Sequence, residues 1–166
     1  MLGLGIPVVY HTAPIGDAPP APVKQVIYES DFTTDIDGWT DPVGIGQLTA
    51  PIDSAGGLTD ALRYVSAAPY GTDRFIRLEL STFNIPTQET TYTVKFTFES
   101  NIQPRAWAKL GAEFGTFTNY VSADTPTDYS SNITATNPTT FDIHFQALNS
   151  TMENAHFKNI ELFYYA

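Results

Sequence analysis

The sequence contains no cysteine. That removes disulfides, thiolate metal sites and a cysteine nucleophile together. It favours folding in a reducing compartment, although many secreted bacterial domains also lack cysteine. Basic residues are scarce, 8 against 18 acidic ones, for a formal charge of -10. Phosphate binding needs a basic surface, so nucleic acid is not an expected partner. The acidic balance reads as a solvated surface, or as calcium affinity at a few carboxylates. No apolar run reaches the ~20 residues of a membrane span, so no membrane partner is expected. The opening MLGLGIPVVYHTAPIG is apolar, but no Lys or Arg precedes Lys24, and Pro7 and Pro14 interrupt it. A secretory leader wants a basic start and an unbroken apolar stretch, so that reading is rejected.

Catalytic patterns are missing as well. His11, His144 and His156 lack metal-ligand spacing. There is no Gly-x-Ser-x-Gly elbow. The Gly-x-Gly runs at Gly3 and Gly44 lack the strand–turn–helix setting of a phosphate loop. No pair of carboxylates stands out as a glycosidase pair. The expectation is a protein that is not an enzyme. Helical periodicity is also absent, apart from one short candidate over residues 53–60.

What the chain does have is alternation. In residues 90–100, TTYTVKFTFES, Tyr92, Val94, Phe96 and Phe98 share one parity, and Thr91, Thr93, Lys95 and Thr97 the other. That is the period of a strand with one face in a core and one in water. Further strands are predicted over 25–32, 46–52, 61–66, 74–81, 105–114, 116–123, 140–148 and 156–165, with 124–136 as loop. Short strands at regular spacing with turn residues between them predict an all-β jelly-roll β-sandwich. Parity points Phe75, Arg77 and Glu79 away from Ile76, Leu78 and Leu80. It gathers Ala106, Ala108, Leu110, Ala112 and Phe114 on one face and leaves Trp107, Lys109 and Glu113 on the polar one. Trp107 is therefore the candidate contact for a ligand or partner, with Lys109 and Glu113 beside it. An outward indole can stack on a sugar ring, bury against a partner, or lie under a loop.

Residues 1–24 form a separate unit. Five prolines favour an extended path. Leu2, Leu4, Ile6, Val8 and Tyr10 are too apolar for a solvating tail. They are the candidate anchors of an arm that docks on a partner, unless the arm wraps its own domain. The folded domain is expected over 25–166, in a homo-oligomer. Glu29 and Asp31 precede a turn carrying Asp35 and Asp37, so Glu29, Asp31 and Asp37 are candidate calcium ligands. Ordinary turn chemistry explains the same residues. No other cofactor is expected.

The stretch YESDFTTDIDGWT (28–40) resembles the opening of β-sandwich carbohydrate-binding modules, and HFKNIELFYY (156–165) resembles their last strand. The resemblance spans 25–166 and implies a galactose-binding-like jelly roll that contacts a glycan. Lys158 stands where that family commonly has Asp near a structural calcium site, which argues against the usual site here. The start MLGLG with its Pro-rich extension resembles phage virion proteins. That likeness implies a structural virion protein, anchored by the arm to other virion proteins of a capsid or tail and presenting its sandwich to neighbouring subunits or a host-surface glycan. The alternative is an extracellular, non-catalytic carbohydrate-binding module of a secreted or cell-surface bacterial protein.

Overall fold

The computed structural model describes residues 19–66, 74–147 and 154–166. The strands are β1 (Lys24–Glu29), β2 (Gly46–Ile52), β3 (Ala61–Ser66), β4 (Arg74–Glu79), β5 (Glu89–Ser100), β6 (Pro104–Leu110), β7 (Glu113–Phe114), β8 (Thr127–Thr136), β9 (Thr140–Ala147) and β10 (Asn154–Tyr165). They form two antiparallel sheets, as the alternation predicts, and no helix occurs among the described residues. One sheet has six strands, in the order β2-β3-β10-β5-β8, with β1 also paired to β10. The other has the order β4-β9-β6-β7.

The inward parity of each strand fills the space between the sheets. Tyr92, Val94, Phe96 and Phe98 of β5 meet Ile76 and Leu78 of β4, Ala106, Ala108 and Leu110 of β6, and Phe141, Ile143 and Phe145 of β9. Each large side chain removed from water contributes ~1.5–3 kcal/mol, which makes this one contiguous core the main source of stability. Trp39 plugs the core's rim with no exposed surface; its Nε1 donates to Tyr28 Oη.

Several expectations are corrected. Residues 105–114 are not one strand. Gly111, at φ 58°, turns the chain into a tight hairpin of β6 and β7. A positive φ suits glycine because it has no Cβ to clash. The reversal sets Phe114 opposite Lys109 and Glu113 opposite Leu110, so Phe114 leaves the core face. The expected loop at 124–136 contains β8, ten residues that pair with β5 along their whole length. Residues 116–123 form no strand, but their backbone still follows β6, with Thr118 N donating to Ala106 O and Val121 N to Pro104 O. The span 53–60 holds turns instead of a helix.

The last strand also departs from a single parity. A bulge between Lys158 and Glu161, with Asn159 at φ 52°, resets the alternation. Asn tolerates this left-handed geometry better than most residues. Ala155 and Phe157 point inward before it, and Ile160 and Leu162 after it. His156 and Phe163 therefore both lie on the outer face. The anchor candidates Leu2, Leu4, Ile6, Val8 and Tyr10 lie outside the described residues. Just before β1, Val23 pairs with Ala166 through both its N–H and its C=O.

Candidate functional site

The outer face of the β4-β9-β6-β7 sheet carries three cross-strand rows. In the middle row, register places Phe75 opposite His144, and His144 opposite Trp107. Adjacent strands lie ~4.8 Å apart, so planar side chains standing on neighbouring strands stack face to face. Phe75 stacks on His144 at 4.7 Å, and His144 on Trp107 at 5.2 Å. Phe117, from the segment after β7, closes the row against Trp107 at 4.7 Å. The rings stand on edge like books on a shelf. Trp107 is outward, as its parity predicts, yet only 9% exposed because both its faces are covered. Its Nε1 has no hydrogen-bond partner. Phe117 remains 51% exposed at the end of the shelf, and Phe114 57% exposed beside it.

The second row joins Arg105 to Gln146. The guanidinium donates twice to Gln146 Oε1, at 3.0 and 2.5 Å. It lies 5.7 Å from the ring centres of Trp107 and Phe117 and 5.1 Å from that of Tyr120. Such distances allow cation–π attraction, which fixes a long side chain in one place. In the third row, Arg77 forks onto buried Asp142 at 2.7 and 2.8 Å. Those hydrogen bonds push the Arg77 guanidinium up from its ordinary value. Lys109 faces Asp142 in register and sits 5.2 Å over the Phe114 ring.

Of the residues named from sequence, Trp107 and Lys109 share this face and Glu113 does not join them. The hairpin leaves Glu113 exposed at the sheet edge, opposite Leu110. Phe75, Arg105, His144, Gln146, Phe117 and Tyr120 belong to the face but were not singled out. The outward parity of Phe75 was a usable signal, because a large aromatic on a strand's polar face needs something to cover it.

The calcium candidates are otherwise engaged. Asp37 Oδ2 accepts from Tyr28 Oη at 2.6 Å and from Asp31 N. Burial, and then the hydrogen bond to Asp37, push the Tyr28 phenol up. Asp31 Oδ1 accepts from the Thr33 hydroxyl and backbone, which hold its carboxyl below the usual range. Glu29 pairs in register with Glu161 on the outer face. Among the described residues no group of three or more His, Asp or Glu side chains gathers as metal ligands. The Lys158 ammonium donates to the Thr59 carbonyl and lines a cavity of about 110 Å³ with Ser30, Asp31 and Asp60.

Two larger grooves, about 490 and 410 Å³, lie on the six-stranded sheet. Much of their polar lining is already paired across strands, as in Thr93 to Asn132 and Thr97 to Asp128. The smaller of the two is lined by the stacked pair Phe96 and Tyr129, but both rings are buried in the core and leave almost no aromatic surface open. We therefore place the candidate site on the β4-β9-β6-β7 face, where aromatic and planar polar groups converge.

No protein-family model matches the chain. No curated protein matches it either. Solved structures do. The CBM22-1 xylan-binding domain from Paenibacillus barcinonensis Xyn10C superposes with a TM-score of 0.62 at 7% identity, over 88% of this chain and 97% of that one. The CBM22-1-GH10 modules of Clostridium thermocellum endo-1,4-beta-D-xylanase 10B, complexed with xylohexaose, give 0.62 at 15% identity, over 84% of this chain and 28% of that one. A Stig cyclase from Fischerella sp. TAU gives 0.54 at 13% identity, over 82% and 88%. At these identities the likeness shows the fold: a β-sandwich of the kind found in carbohydrate-binding modules, and found in a cyclase too.

Proposed function

We propose that this domain is a non-catalytic carbohydrate-binding module that takes a glycan on the outer face of the β4-β9-β6-β7 sheet, as part of an extracellular protein. The observation that carries the reading is the shelf of stacked rings ending in exposed Phe117 and flanked by Arg105, Gln146 and Tyr120. Sugars present apolar C–H faces and ring hydroxyls together. Exposed aromatic rings accept the former, and planar guanidinium and amide groups the latter. The xylan-binding and xylohexaose-bound neighbours support the same reading. On this face the Asp142 carboxylate is buried and hydrogen-bonded to Arg77. Attachment to a virion is a separate reading that rests on residues 1–24 alone, and none of the neighbours described supports it.

The test is affinity electrophoresis of the full chain through gels containing soluble xylan, mixed-linkage glucan, mannan or pectin. At least one polysaccharide should retard the wild type, and Phe117→Ala should relieve the retardation. Migration unaffected by every polymer would sink the carbohydrate reading.

A further inference from the structure

The cations on this face point to the charge of the ligand. The protein is acidic, with 18 acidic residues against 8 basic ones. Yet Arg77, Arg105 and Lys109 all lie on the outer face of one sheet. Arg77 is neutralised by Asp142, whose two oxygens it takes. Lys109 faces Asp142 but makes no ion pair with it. Arg105 is further from compensation. Its hydrogen-bond acceptor is the neutral amide of Gln146, and the groups around it are the rings of Trp107, Phe117 and Tyr120. The other carboxylates of this sheet, Glu79 and Glu113, lie at the end of β4 and on the β7 edge. A half-buried guanidinium framed by rings, with no carboxylate partner among the described residues, is a receptor for a planar anion.

We propose that the glycan bound here is an acidic polysaccharide whose anionic groups are received by Arg105 and Lys109. The inference rests on the carbohydrate reading above. The two cations are four residues apart on β6, about 13 Å at the ~3.3 Å rise of a strand. One acidic monosaccharide does not bridge that distance, so the ligand is a chain with repeating charge laid along β6 across the Trp107 row. The net charge of the protein repels polyanions, so such binding has to come from these local cations rather than from the overall field.

The experiment is calorimetric titration of the full chain at physiological ionic strength, where long-range repulsion is screened beyond ~8 Å. The probes are polygalacturonate, the same polymer after carboxyl reduction, dextran sulfate, and unsubstituted xylan. Carboxyl reduction should weaken binding by about tenfold or more, as should Arg105→Gln, with partial rescue in Arg105→Lys. Lys95→Gln, on the opposite sheet, should change nothing. Tighter binding of polygalacturonate than of dextran sulfate assigns the anion as a carboxylate, and the reverse order as a sulfate ester. Equal affinity for the native and reduced polymers, or binding confined to neutral xylan, overturns this proposal and leaves the carbohydrate reading standing. Binding to none of the four overturns this proposal, and the electrophoresis with glucan and mannan then decides the carbohydrate reading. If Arg105→Gln does not fold, the comparison of native with reduced polymer on wild type still decides.

Discussion

Trp39 hands its indole N–H to Tyr28 Oη at 2.8 Å, and Tyr28 passes its own proton donor to Asp37 at 2.6 Å. The two rings also meet edge-on at 5.9 Å. This relay ties the turn after β1 to the strand itself, beneath the rim of the core. Tyr28→Phe keeps the ring but leaves a fully buried indole N–H without its acceptor. The expected loss is about 1–3 kcal/mol, the cost of a stranded buried donor. Urea unfolding measures it, and unchanged stability would show that the relay contributes nothing.

Gly56 lies against the Glu99 carboxylate, where a Cβ would come within 2.4 Å of Oε2 and 2.6 Å of the Asp124 carbonyl. Glu99 in turn accepts from the Ser54 hydroxyl and the Gly56 N–H. Gly56→Ala is therefore expected to lift the 53–60 turns off the sheet and cost about 1–3 kcal/mol. Thermal melting close to wild type would mean that the turn gives way without penalty.

His156 sits beside Glu99 on the outer face, 8% exposed, with its Nδ1 unpartnered. Burial lowers its pKa from the ordinary 6.5; Glu99 and Asp124 act against that shift and Arg63 with it. The folded state thus favours neutral imidazole, and the unfolded state binds more protons over this range. The stabilisation is present above 6.5 and is lost as pH falls through the lower folded value. Melts from pH 8 to 5 should show a decline that is smaller in His156→Gln. Parallel pH profiles for the two proteins would place the decline elsewhere.

Trp107→Ala removes the central slab of the shelf. Phe117 and His144 each lose a stacking partner, and a cavity opens between them. The variant should lose glycan binding and about 2–4 kcal/mol of stability together. Phe117→Ala, at the exposed end, should lose binding with little change in melting. If the two variants behave alike in both assays, the shelf is not built as described.

Calcium is expected to change the melting temperature little. Asp31 and Asp37 are occupied by protein donors, and the Lys158 ammonium already holds the Thr59 carbonyl beside them. Differential scanning with calcium and then with chelator checks this. A shift worth several kcal/mol by linkage would reveal a cation site that Lys158 does not pre-empt.

Strands whose inward residues are large were legible from sequence. β3 falls on residues 61–66 as expected, and β5 on the clear alternation of Tyr92, Val94, Phe96 and Phe98. β8 was not, because its inward set includes Ser131 and Ala135, and its outward set is Asp, Ser, Asn and Thr, which also build turns. The bulge at Asn159 was hidden because either parity of β10 carries aromatics. Trp107's direction could be read from local alternation. Its burial could not, because the rings that cover it come from β9 and from Phe117, across pairings that local sequence does not encode. Arg105 escaped notice for the same reason: its meaning lies in the Gln146 amide and Tyr120 ring that the fold brings to it.

β10 is the shared spine of the six-stranded sheet, flanked by β5 on one edge and by β3 and β1 on the other. A ribosome delivers those partners first and the spine after all of them. Until residues 154–165 emerge, β1 has no neighbour to zip onto, and the β2–β3 and β5–β8 pairs each keep an unpaired edge. Assembly of this sheet is therefore a late event in synthesis, closing over long sequence separations that make folding slow. Chaperones would meet the nascent chain in that interval, and C-terminal truncations would leave it there permanently.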